Sequence, residues 1–174
     1  MMEEEKKTVK LEINGSTYEY PQGTSLAVIA EDFRKDYPHD ITLAMVGRKL
    51  HELHHTVKED AAVSFVTTAD DIGHKTYKRS CSMLFLSAVY HTGGYDRIRR
   101  IVLHFSVSSG FYYTIDGDVK LDEEFIRRVE EHMHEIADRK MPILKRNIST
   151  SEAVDLFRKY RMNDKVQLFS TRLA

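Results

Sequence analysis

The chain has 174 residues, 26 Lys and Arg against 27 Asp and Glu, nine His, one Cys and no Trp. An apolar fraction of 41% is too high for a disordered chain, and a single cysteine excludes a disulfide framework or a multi-thiolate zinc site. A net charge of −1 argues against a protein that coats nucleic acid. No apolar run approaches the roughly 18–20 residues of a membrane span. The opening MMEEEKKTVK lacks the apolar region of a signal peptide. These features point to a cytoplasmic chain without a membrane partner.

Residues 1–7 read as a disordered tail. Residues 8–13 alternate as a strand does, Asn14–Gly15 is a strong hairpin signal, and Thr17–Tyr20 reads as the returning strand. Thr24 or Ser25 can cap a helix carrying Leu26, Ile29, Ala30 and Phe33 at helical spacing. Pro38 sets its far limit. Residues 41–46 and 62–67 read as strands, with Gly47–Arg48 as a turn and His51, His54 and His55 in a polar turn between them. A small mixed sheet with one helix on one face would bury this set.

The polar stretch from Ala69 to His74 is the expected domain boundary. A helix is predicted over 76–91, with Tyr77, Cys81, Leu84 and Ala88 on a deeply packed stripe, ended by Gly93–Gly94. Residues 98–107 alternate, placing Ile101, Leu103, Phe105 and Val107 on one face. Ser108–Ser109–Gly110 then turns into a strand over 111–115. Asp122 caps a helix over 123–139 with a core stripe of Phe125, Val129, Met133 and Ile136, and Leu121 with Ile126 fits a hydrophobic staple. A short strand is expected at Ile143–Ile148. Ser149 with Glu152 forms a capping box for a last helix that turns Ala153, Leu156, Phe157 and Tyr160 inward. Val166–Phe169 reads as a final strand, and the chain stops at Leu173–Ala174.

Chemistry is sparse in this pattern. None of the eight glycines has the context of a phosphate-cradling P-loop. The HELHH segment lacks a thiolate or a clear carboxylate to complete a metal set, so a solvated turn is the better reading. His132 and His134 are two apart and cannot face one ligand from a helix. Asp116, Asp118 and Asp122 have a glycine in the wrong place for a calcium loop. Cys81 reads as a small core residue. The compact basic clusters are Arg97, Arg99 and Arg100, a weak basic patch, and Lys75, Lys78 and Arg79. A solvated face is the ordinary account of both. No metal site and no catalytic residue is assigned.

The segments LEINGSTYEYPQGTS and MVGRKLHEL…AAVSFVT are similar to the TGS domain, a ubiquitin-like β-grasp module. Residues 69–169 resemble the editing domain of threonyl-tRNA synthetases, through TTADDIGHKTYKRSCSMLFLSAV, SGFYYTID, LDEEFIRRVEEHMHEIADRKMPILKR and ISTSEAVDLFRKYRMNDKVQLF. The resemblance implies an α+β chain: a TGS domain over 8–68, then a two-layer editing-like domain over 69–174, truncated at its C-terminal end.

Editing domains of that family carry a His-x-x-x-His pair on the first helix. Here Arg79 and Met83 occupy those positions, directly after Lys78 and Ser82 respectively. A guanidinium and a thioether cannot do imidazole chemistry. The resemblance therefore implies a degenerate pocket at Lys78, Arg79, Ser82 and Met83, with anion or RNA binding in place of hydrolysis. The same two-domain block with the histidines lost resembles the N-terminal part of bacterial uridine kinase-type nucleoside kinase fusions. That likeness implies a non-catalytic accessory module whose partner is its own C-terminal kinase domain, with weak nucleotide or RNA binding. No cofactor is then expected in this segment, and ATP and Mg only in the kinase part. The alternative is the N-terminal TGS and editing region of a threonyl-tRNA synthetase or a related tRNA-editing hydrolase.

Overall fold

The computed structural model describes residues 7–108 and 110–171, and the chain divides into two compact units, Met1–Ser80 and Cys81–Ala174. The expected tail and the Leu173–Ala174 end fall on or run into residues outside those described, as does Ser109 of the expected turn. The protein is α+β.

In the first unit, β1 (Thr8–Ile13) and β2 (Ser16–Pro21) form the predicted hairpin. Asn14 and Gly15 both have positive φ, 52° and 79°, as the tight two-residue turn requires. Ser25 caps α1 (Leu26–Phe33), its side chain accepting from the Val28 amide, and a 3₁₀ turn (Arg34–Asp36) ends the element ahead of Pro38. β3 (Ile41–Val46), β4 (Lys49–Glu52) and β5 (Ala61–Thr67) complete a five-stranded sheet in the order β2-β1-β5-β3-β4. β1 pairs with β5 in parallel and all other pairs are antiparallel, which is a β-grasp arrangement. Alternation in β1 sends Val9, Leu11 and Ile13 into a core shared with Leu26, Ile29 and Phe33 of α1 and Val63 and Phe65 of β5. The expected polar turn around His51 is in part the edge strand β4: Leu43, Ala44, Met45 and Val46 supply its ladder, overriding its own polar sequence.

α2 (Asp71–Gly93) begins five residues ahead of the predicted start, inside the stretch read as a boundary. Asp70 explains this, since its carboxylate accepts from the Thr67 amide and hydroxyl and its carbonyl accepts from the His74 amide. The predicted stripe is only partly packed: Ala88 and Val89 are fully buried, whereas Tyr77 is half exposed and Cys81 and Leu84 are intermediate.

β6 (Ile98–Val107) and β7 (Gly110–Gly117) form a two-stranded antiparallel ribbon. Its register shifts at Ile98/Arg100 and again at Leu103/Phe105. The first shift keeps Ile98 and Ile101 buried together; the second falls between Leu103 and Phe105, and from Leu103 to Val107 the strand is exposed throughout, against expectation. α3 (Glu123–Asp138) is capped by Asp122 through the Phe125 amide and buries Phe125 and Val129 beside Ala88, Val89, Ile98 and Ile101. Ser149 caps α4 (Thr150–Lys159) through the Glu152 amide, and Val154 is its buried residue; Tyr160 is 45% exposed and does not turn inward.

Two expected strands are absent. Residues 143–148 have no regular structure, and their apolar side chains are exposed. Residues 166–169 lie in α5 (Asn163–Ser170), where Phe169 meets Phe157 of α4 with ring centroids 5.3 Å apart. That contact needs helical spacing and outweighs the strand preference of Val and Phe. No helix among the described residues is long and apolar enough to cross a membrane.

Candidate functional site

The second unit contains a cleft of about 710 Å³. Three elements build it. α2 contributes Cys81, Ser82 and Phe85 from the flank that continues into the buried Ala88 and Val89. β7 contributes five successive residues, 111–115. Leu121, Ile126 and Met133 close the far side, the first from the approach to α3 and the others from α3 itself. Leu121 and Ile126, expected to staple to one another, are each about half exposed and face this space.

The lining is apolar and aromatic. Phe85 packs on Tyr113 with centroids 4.6 Å apart, and the Tyr113 hydroxyl donates to Ser82 Oγ at 2.9 Å. No His, Asp, Glu, Lys or Arg lines the cleft. Ser82 has no base among these residues, and Cys81 has no cation or imidazole among them to favour its thiolate. The arrangement suits apolar and stacking contacts, with Cys81, Ser82 and the tyrosine hydroxyls as its polar side-chain groups beside Thr114.

Of the sequence-derived pocket residues, Ser82 lies in the cleft. Met83 is 56% exposed and Arg79 is exposed, and neither lines the cleft; Lys78 is intermediate. Lys78 does not line the cleft either; positions 79 and 83 lie roughly 60–160° around the helix from Ser82 and Phe85. The β7 and α3 contributions were missed because they come from 30 to 50 residues downstream. The one signal for them is the run Phe111–Ile115, which is too apolar on both faces for an ordinary solvated ribbon strand.

Two members of the weak basic patch, Arg97 and Arg99, are engaged within the ribbon. Arg99 pairs with Asp116 at 2.6 Å, and that guanidinium holds the Asp116 carboxyl below its usual range. Arg97 donates twice to the Asp118 carbonyl. Asp122 is committed to its cap and to Lys120, which depress its carboxyl. Among the described residues, no three His, Cys, Asp or Glu converge as metal ligands. His51 stacks on His55 with centroids 3.8 Å apart, and burial with the neighbouring His51 lowers the His55 pKa. His91 stacks on His132, whose Nδ1 meets Glu135 at 3.0 Å.

The chain matches no family model. It is similar to threonine--tRNA ligases. It is 26% identical to that of Syntrophomonas wolfei over 155 residues, 89% of this chain and 24% of the relative. It is 25% identical to that of Desulforamulus reducens, over 90% of this chain and 24% of the relative. With that of Chloroherpeton thalassium the identity is 27%, over 85% and 22%. The chain thus spans about a quarter of the length of these relatives while nearly all of it takes part in the likeness.

Proposed function

We propose that this chain is a tRNA-contacting accessory region of a threonine--tRNA ligase-like protein, with a TGS domain in its first unit and an editing-like second domain that binds without hydrolysing. The observation that carries this reading is the likeness to threonine--tRNA ligases along nearly the whole chain. The absence of His, Asp, Glu, Lys and Arg from the cleft lining supports the non-hydrolytic part. A guanidinium at Arg79 and a thioether at Met83 point the same way, because hydrolysis of an ester needs a positioned base or an activated water. Arg79 and Lys75, four apart on α2 and both exposed, would contact phosphates. With a net charge of −1, that contact is weak and salt-sensitive.

The test uses a tRNA acceptor-stem hairpin titrated into the chain at low salt, followed by amide NMR. Shifts centred on α2 that diminish in Arg79→Ala are expected; unperturbed α2 resonances would refute the contact. In parallel, mischarged threonine-specific tRNA should be deacylated no faster with the chain than without it. Turnover above that background would refute the non-hydrolytic reading.

The uridine kinase-type fusion is a second reading. It is favoured by Arg79 and Met83 standing where editing helices keep histidines. In that case the kinase domain is the partner, and ATP and Mg belong to it. The coding sequence downstream of Ala174 separates the two: a P-loop supports the kinase parent, and synthetase motifs support the ligase.

A further inference from the structure

Three tyrosines from separate stretches of the second unit line up at its surface. Tyr90 lies in the last turn of α2, Tyr95 in the turn that follows, and Tyr160 at the C-terminal cap of α4. Tyr90 packs against the core that holds Ala88 and Val89, which anchors the row. Tyr95 lies parallel to it, with centroids 5.3 Å apart and 7° between the planes, and Tyr160 follows 5.8 Å beyond Tyr95. Tyr95 is 43% and Tyr160 45% exposed, so the outer two rings keep open surface that the core does not use.

The chain around Tyr160 is basic, with Arg158, Lys159, Arg161 and Lys165 close in sequence. Arg158 is taken up by Asp155 at 2.9 Å, and Lys165 by Asp164 at 3.2 Å. Lys159 and Arg161, on either side of Tyr160, are exposed and enter no ion pair among the described residues. Lys159 Nζ stands 6.0 Å from the Tyr160 centroid, the outer limit of a cation–π contact, so it can leave the ring for a phosphate at little cost. Arg161 has a φ of 56°, the left-handed conformation that glycine ordinarily fills just beyond a helix end. Its amide donates to the Arg158 carbonyl and that of Met162 to the Phe157 carbonyl, so this conformation closes α4. The backbone there favours glycine, and a residue held against such a preference points to a use for its side chain.

We propose that Tyr95 and Tyr160, anchored by Tyr90 and flanked by Lys159 and Arg161, form a platform on which unpaired bases of single-stranded RNA stack. Every base has a flat face that matches a tyrosine ring, and the two free cations meet the phosphates beside it. An acidic peptide would satisfy the cations but give the rings nothing to stack on. A paired stem hides its base faces, so the platform selects single strands. It rests on the RNA reading above for its ligand class, but on different residues for its site.

Fluorescence anisotropy of a labelled oligoadenylate at low salt tests it. Tyr160→Ala is expected to weaken binding roughly tenfold, the loss of one stacked base. Tyr160→Phe keeps the ring and should bind as the natural chain does. Arg161→Gly removes a cation while suiting the backbone. It should resist urea at least as well as the natural chain, yet bind more weakly, with a salt slope shallower by about 0.7. A fully paired RNA stem should bind Tyr160→Ala and the natural chain alike. No oligoadenylate binding, or equal affinity in the natural, Tyr160→Ala and Arg161→Gly chains, would overturn the platform. So would an equal loss of stem and single-strand binding in Tyr160→Ala. Displacement of the oligoadenylate by polyglutamate as readily as by unlabelled oligoadenylate would assign the surface to acidic proteins and overturn it too. If Arg79→Ala leaves stem binding unchanged while Tyr160→Ala weakens the single strand, the α2 contact fails and the platform stands.

Discussion

Gly73 sits in the first turn of α2, against the end of β5. A Cβ placed there would lie 1.9 Å from the Thr67 carbonyl oxygen and 2.8 Å from Thr42 Oγ1. Two effects compete in Gly73→Ala. Alanine is favoured over glycine inside a helix by about 1 kcal/mol. Against this, overpacking of a tight site costs about 1–3 kcal/mol, and here the closest atom is backbone. The Thr67 carbonyl cannot swing aside cheaply, because it accepts from the Asp70 amide while the Thr67 amide donates to the Asp70 carboxylate. With backbone as the obstructing atom the cost lies toward the upper end of that range, and a net loss of up to about 2 kcal/mol is expected in the first unit. Urea unfolding followed by the methyl resonances of Leu11 and Val63 measures it, with Val89 as the reporter of the second unit. Gly93→Ala is the control: its nearest atom is Ile98 Cδ1 at 2.5 Å, a side-chain tip that can rotate. A Gly73→Ala chain as stable as the natural one would refute the reasoning.

Burial, then the hydrogen bond from its hydroxyl to Asp32, pushes the Tyr20 pKa up to about 12. The folded state holds this proton more tightly than an unfolded tyrosine of pKa about 10. Its stabilising contribution is therefore complete below pH 10 and lost as pH rises toward 12; Tyr20→Phe should flatten that alkaline decline in a pH series of unfolding curves. Asp116→Ala should release Arg99 from its ion pair and strengthen low-salt RNA binding, with the salt slope steeper by about one. Fluorescence anisotropy at two or more salt concentrations checks it, and an unchanged slope would count against Asp116 as the group that masks the patch.

Local chemistry made much of this fold legible. Asn14–Gly15, Ser25, Asp122 and Ser149 each announce a turn or cap that depends on a few neighbouring atoms, and each is found. What escaped depends on distant partners. β4 exists because β3 offers it a ladder, and α5 is helical because Phe169 finds Phe157. The register shift between Leu103 and Phe105 in β6 is a backbone irregularity that no side-chain pattern encodes. The candidate site divides in the same way. Ser82 was named only through a family resemblance, whereas the wall formed by residues 111–115, Ile126 and Met133 is assembled from separate stretches of chain.

The parallel pairing of β1 with β5 sets Leu11 beside Ala61 and Ile13 beside Val63, so the earliest and latest strands of the first unit occupy neighbouring central places. During synthesis the β1–β2 ribbon and α1 emerge well before the strand that must lie between β1 and β3. Until then Leu11, Ile13 and Phe33 have an incomplete enclosure. Closing this non-local pair is expected to govern the folding rate of the unit, and the nascent chain before residue 67 presents its greasiest surface to chaperones.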